Sequence, residues 1–207
     1  MNYRLNAIFT SLQGEGRNAG RPATFIRFSS CNLNCSWCDT HRTMKLDISL
    51  GELLLKVKHR GKRFVILTGG EPSIQPGLVE LVRKLKEEGH VVAMETNGLE
   101  APPEAELLDY IACSPKPDFV NRYRDDRMLR RADEVRIVAQ SELITSFCRN
   151  MRERISATDY YISPLDLDGK IHYRRALNLL SKVNRLMPSD YPPWALSIQM
   201  HKVIGVR

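Results

Sequence analysis

Short runs rich in β-branched and aromatic residues alternate along this chain with longer amphipathic stretches, and that alternation constrains the fold more than any other feature. Residues 23–29, 63–68, 91–95, 110–114, 134–139, 159–163 and 195–198 have the length and composition of strands, several apolar enough to be buried on both faces. Between them, 49–58 opens with Ser49 and Glu52 at capping-box spacing and puts Leu53, Leu54 and Val57 on one helical face. Residues 75–88 run amphipathic to a C-capping Gly89, and 173–186 form a longer helix before the breaker Pro188. Strand-helix-strand units join through right-handed crossovers into a parallel sheet, so an α/β fold is expected, with ligands collected at the C-terminal ends of the strands. Periodicity alone leaves open whether the sheet stays open or curls into a partial barrel.

At 207 residues and 43% hydrophobic composition, the chain suits one domain spanning 1–207, with no internal repeat. The opening MNYRLNAIF lacks the pattern of a signal peptide, and no stretch reaches the length of a membrane span, so a cytoplasmic protein without membrane contact is expected. The formal net charge of +7 raises the question of nucleic acid. The basic residues are spread along the chain, however, and the densest stretch, 122–136, is interleaved with acids, so no nucleic-acid partner is expected. Positive charge equally suits an anionic small molecule.

Of the 5 cysteines, Cys31, Cys35 and Cys38 crowd into C-x3-C-x2-C directly after a predicted strand, unlike the dispersed framework of a secreted disulfide protein. Three thiolates on a four-iron cubane leave one iron for an outside amine and carboxylate. Zinc is the competing reading, with His41 as a fourth ligand. Cys113 and Cys148 lie in predicted elements without a nearby partner and read as core residues. The glycines of Thr68-Gly69-Gly70-Glu71-Pro72 would let backbone approach a ligand, although an ordinary strand-to-helix turn looks the same. Arg27, inside ATFIRFS, alternates opposite Ile26 and Phe28, and its fork matches a carboxylate.

The cysteine motif, with Trp37 in its aromatic place, resembles that of radical S-adenosylmethionine (SAM) enzymes. Together with Ser11-Leu12-Gln13-Gly14-Glu15-Gly16 near one end and Gln199-Met200-His201-Lys202 near the other, it resembles the 7-carboxy-7-deazaguanine synthase family in particular. That resemblance implies an incomplete TIM-like barrel holding a [4Fe-4S] cluster on Cys31, Cys35 and Cys38. It also implies SAM held near Trp37, Asp39, Gly69, Gly70, Glu71, Thr96, Ser114, Pro115 and Lys116. Ser163 and Asp166 bound the segment that would reach the adenosine, where relatives often carry Gln-Pro and this chain has Ser-Pro. Thr40, after Cys38 and Asp39, would ligate Mg2+ together with oxygens from substrate and water.

The substrate implied is 6-carboxy-5,6,7,8-tetrahydropterin, contacted by Leu12, Gln13, Gly14, Glu15, Arg27 and Thr68, with Gln199, His201 and the terminal carboxylate of Arg207 closing the pocket. Its product, formed with loss of ammonia, would be 7-carboxy-7-deazaguanine, on the route to queuosine. An external electron donor of flavodoxin or ferredoxin type and a homodimeric assembly belong to the same expectation. A glycyl-radical-activating enzyme and a non-enzymatic zinc module for nucleic acid are the alternatives, and iron, sulfide and zinc content separates the second from the rest.

Overall fold

The computed structural model describes residues 1–38, 40, 43–188 and 191–206. Its strands are β1 (Asn2–Leu12), β2 (Pro22–Phe28), β3 (Leu46–Ser49), β4 (Phe64–Gly69), β5 (Val91–Thr96), β6 (Tyr110–Cys113), β7 (Glu134–Ala139), β8 (Asp159–Pro164), β9 (Asp166–Leu167), β10 (Lys170–Ile171) and β11 (Ala195–Leu196). The α-helices are α1 (Leu50–Arg60), α2 (Leu78–Glu87), α3 (Thr145–Arg154), α4 (Tyr173–Leu186) and α5 (Met200–Val203). Nine strands form one sheet in the order β11-β8-β7-β6-β5-β4-β2-β1-β3, while β9 and β10 make a small hairpin. From β2 to β11 every pairing is parallel, and these are the seven strands anticipated from composition. The fold is an α/β incomplete barrel, with β3 and β11 as its unjoined edges.

Two antiparallel strands of the nine-stranded sheet were not anticipated. β1 pairs with β2 and β3, and it carries a register shift between Leu5 and Ala7. Its sequence, NYRLNAIFTSL, mixes polar and apolar residues without clean alternation because an irregularity of this kind resets the facing of side chains. α3, TSFCRNMRER, also escaped notice: only Phe147, Cys148, Met151 and Arg152 are buried, a thin stripe in a basic segment. α1 bears out the capping box, since Ser49 Oγ accepts from the Glu52 N–H and Glu52 accepts from the Ser49 N–H. α2 starts later than expected, a 3-10 turn at Pro72–Ile74 preceding it, and Gly89 takes φ +81° just beyond its end.

Period-two alternation sorts the strand residues onto two faces. Leu5, Ile8, Ile26, Phe28, Val65, Leu67, Val92 and Met94 pack outward into the main core with Leu53, Val57, Leu81 and Leu85 of the helices. Ala7, Phe9, Ala23, Phe25, Phe64, Ile66 and Ala93 make a smaller cluster on the inner face. Continuing that inner parity toward the strand ends brings Arg27, Thr68, Glu95 and Arg136 to one side of the sheet. Cys113 and Cys148 are fully buried in the main core, as expected, and burial pushes the Cys148 thiol up to about 12. Among the described residues no helix is long and apolar enough to cross a membrane.

Candidate active site

A cavity of about 240 Å³ opens at the C-terminal ends of the parallel strands and gathers residues from both ends of the chain. Cys31, Cys35, Cys38, Trp37 and Thr40 form one wall, and Leu12, Gln13, Gly14 and Glu15 another. Arg27, Thr68, Gly69, Gly70, Glu71, Thr96, Ser114 and Lys116 come from the strand ends between them, with Asp166, Gln199 and His201 closing the remainder. Pro115 and Ser163 are buried but do not reach this cavity; Pro164 and Leu165 reach it in place of Ser163. The expected contributions of Asp39 and Arg207, and of His41 to a zinc site, lie outside the described residues.

Backbone bonds seat the cysteine loop on the glycine turn. The Gly70 N–H donates to the Phe28 carbonyl at 2.9 Å and the Glu71 N–H to the Ser30 carbonyl at 2.8 Å. A Cβ on Gly70 would lie 1.9 Å from the Ser30 oxygen, so only glycine permits this approach beside Cys31. The Glu71 carboxylate is 1% exposed and accepts from the Ser73 N–H, the Thr96 hydroxyl and the Asn97 N–H at 2.6–3.0 Å. Burial raises its pKa against those three bonds, and the side chain braces the ends of β4 and β5. Within the loop, the Leu33 N–H points to Cys31 Sγ at 3.4 Å, and Asn97 Nδ2 donates to Asn32 Oδ1 at 2.8 Å.

The donor set fits an iron-sulfur cluster: three cysteines around one cavity wall, partly exposed, beside a glycine turn that admits backbone to a ligand. Among the described residues no three His, Cys, Asp or Glu side chains are gathered around a single-ion site. Next to the loop, Lys116 Nζ donates to Ser114 Oγ at 2.8 Å and lies 5.3 Å from the centre of the Trp37 ring, whose Nε1 donates to Asp118. Magnesium fits less readily. The Thr40 hydroxyl is a single neutral donor, and it accepts from Arg27 Nη1 at 3.1 Å, so a divalent ion there would have to draw its other oxygens from substrate and water.

The opposite side is a charge network that the motifs did not announce. Arg136, 4% exposed, points Nη1 at Glu15 (2.9 Å) and Nη2 at Glu95 (2.8 Å), while Nε ion-pairs with Glu134 at 3.0 Å without hydrogen-bond alignment. Gln13 Nε2 and the Thr68 hydroxyl donate to Glu95 at 2.7 and 3.2 Å, and Gln199 Nε2 donates to Glu15 at 2.6 Å. Burial opposes the charge on Glu95, but Arg136 and these donors outweigh it and hold the carboxyl at about 2. The C-terminal segment is fastened here as well: the Met200 N–H donates to the Gly14 carbonyl, a Cβ on Gly14 would strike the His201 ring, and Lys202 pairs with Asp166 at 2.7 Å.

Arg27 differs from Arg136. It lies on β2 level with Thr68, its centre is 5.4 Å from the Phe9 ring, and its Nε is buried with no partner among the described residues. Phe9 and Phe25 stack at 5.0 Å beside it and give the cavity a flat apolar wall. Glu134 and Arg136 were missed as site residues although a signal existed: charges at alternate positions inside EVRIVA resemble the Arg27 pattern.

Residues 25–121 match the model of the radical SAM superfamily. The 7-carboxy-7-deazaguanine synthase of Haemophilus influenzae is 42% identical over 205 residues, covering 99% of this chain and 94% of that protein. The enzyme of the same name from Neisseria meningitidis serogroup B is also 42% identical with the same coverage. In three dimensions, the crystal structure of QueE from Escherichia coli superposes with a TM-score of 0.71 at 24% identity, over 97% of this chain and 95% of that one. With three cysteines beside a glycine turn, a cavity at the open ends of a parallel half-barrel and whole-length relatedness at this level, the chain belongs to the 7-carboxy-7-deazaguanine synthase family of radical SAM enzymes.

Proposed function

We propose that this protein converts 6-carboxy-5,6,7,8-tetrahydropterin to 7-carboxy-7-deazaguanine with release of ammonia. The observation that supports this reading is the polarity of the cavity. Glu15, Glu95 and Glu134 surround a single guanidinium on one side, leaving an excess of negative charge, while Arg27 and Lys116 stand toward the cysteine loop. The pterin has the complementary ends: an amino and ring N–H edge that donates, and a carboxylate that accepts. Arg27 on β2 and Glu95 on β5 are two strand spacings apart, about 10 Å, which is comparable with the length of a bicyclic pterin carrying a carboxyl group.

In this reading the fork of Arg27 holds the substrate carboxylate, and its partnerless Nε is one of the donors. Glu95 and Glu15 accept from the amino edge, Leu12, Gln13 and Gly14 offer backbone and amide groups, and Thr68 fixes the Glu95 carboxylate from below. Phe9 and Phe25 cover the ring face and exclude water, and His201 lies over Gly14 at the mouth. Cys31, Cys35 and Cys38 would hold the cluster, and Gly69, Gly70, Thr96, Ser114 and Lys116 would hold SAM against it. When bound, SAM and the cluster, reduced by an external carrier of flavodoxin or ferredoxin type, would supply the radical chemistry needed to activate C6 of the pterin. Orientation of C6 is the protein's contribution, made by anchoring the substrate at both ends.

The test is to incubate anaerobically reconstituted protein with SAM, reductant, magnesium and 6-carboxy-5,6,7,8-tetrahydropterin, and to identify products by mass spectrometry. Formation of 7-carboxy-7-deazaguanine and ammonia is the expected result. Cleavage of SAM with the pterin returned intact would refute the substrate assignment.

A further inference from the structure

Arg136 occupies an unusual position: one guanidinium on β7 faces three carboxylates, two of them from other parts of the chain. Glu95 comes from β5, Glu15 from the loop after β1, and Glu134 from its own strand two residues earlier. Glu134 is itself fully engaged, accepting from the Tyr110 hydroxyl at 2.7 Å and the Arg17 N–H at 2.9 Å, and a Cβ on Gly16 would collide with its oxygens. Its charge therefore faces the Nε side of the guanidinium, and the two terminal nitrogens are left for Glu15 and Glu95. Those two carboxylates border the cavity, whereas Glu134 is 2% exposed and does not. Because the guanidinium is planar, its terminal N–H groups fix the directions of both acceptors at once.

We propose that Arg136 is a positioning residue for the pterin site, holding Glu15 and Glu95 as a paired acceptor of fixed separation for the N–H-rich edge of the substrate. This rests on the pterin reading above and extends it to a residue that need not touch the substrate. Glu134 belongs to the same device as the anchor of the guanidinium. The other titratable groups around Arg136 are Tyr110 and Cys113 on β6, Tyr161 on β8 and Arg17 in the loop after β1. Removing the guanidinium would leave Glu95 beside Glu15 and Glu134 in a buried setting, where it would take up a proton and turn one acceptor into a donor.

The experiment measures anaerobic binding of 6-carboxy-5,6,7,8-tetrahydropterin and, separately, of SAM by calorimetry, using cluster-loaded wild type, Arg136→Met and Arg136→Lys from about pH 5.5 to about 8. Arg136→Met is expected to weaken pterin binding on the order of 30-fold at neutral pH, more strongly as pH falls and less as it rises, with SAM affinity held within about twofold. Arg136→Lys keeps the charge but not the fork, so it is expected to show a smaller loss with little pH dependence. Should Arg136→Met fail to fold, the lysine variant decides: a selective loss of pterin affinity supports the proposal. Wild-type pterin affinity in the folded variants, or equal losses of pterin and SAM without pH dependence, would overturn it. If the wild type itself did not bind the pterin, the substrate reading would fall, and this proposal with it.

Discussion

At one side of the cavity a guanidinium sits buried among three glutamates. On the other, no helix or strand is present among the described residues between Phe28 and Leu46, and the cysteine loop is pinned by a few bonds to the glycine turn, Asn97 and Arg122. The first side is organised by the protein's own charges. The second has the character of a segment whose rigidity comes from metal ligation, because thiolate bonds to a cluster replace the cross-links that secondary structure would otherwise supply. Under the proposed function, recognition of the substrate's amino edge is thus built into the fold, while the radical chemistry rests on the cysteine loop. Mutations on the two sides should fail in different ways.

The largest effect is expected from Cys35→Ser, which should cut turnover by about a thousandfold or more by removing a cluster ligand, with little change in thermal stability. Iron analysis alongside a melting curve checks this, and a large drop in melting temperature at full iron content would erase the contrast between the two sides. Glu95 should behave in the opposite manner. Its carboxyl is held near 2 against an ordinary value of 4.5, so it contributes stability that is fully present above about pH 4.5 and is lost as pH falls toward 2. The contribution is up to about 3 kcal/mol, and Glu95→Gln should flatten the acid limb of a denaturant-derived stability curve. An unchanged acid limb would mean that the network is not organised by charge.

Arg27→Ala should cost about 2 kcal/mol of substrate binding, seen as a raised KM for the pterin with SAM cleavage in its absence preserved. Equal losses of both would show that Arg27 supports the fold instead. The smallest effect belongs to Cys148→Ala, expected to lower stability by about 1 kcal/mol through lost packing and to leave iron content unaltered. Loss of iron in that variant would extend the cluster's environment into the main core.

Much of this is legible in the amino-acid sequence. The cysteine triad could be read because its residues are contiguous, and the seven parallel strands because burial on both faces leaves short apolar runs. Arg27 stood out as a lone charge in such a run. The capping box at Ser49 and the turn at Gly69-Gly70 are likewise local, and local chemistry survives in one dimension. β1 was hidden by its bulge and α3 by its thin apolar stripe, since each departs from the period by which elements are recognised.

Sequence by itself thus determined the class of fold, the cysteine loop and most residues of the cavity wall beside it. Only the tertiary structure decided that Glu15, Glu95 and Gln199 meet around Arg136 and its strand neighbour Glu134, because these positions lie far apart in the chain and meet only once strands β5 to β7 are laid side by side and both chain ends are folded over them. In the sequence, Arg136 was one more base in an interleaved charged stretch; inside the barrel, alternation turns it inward, and the low polarity there makes pairing with several acids the condition for its burial.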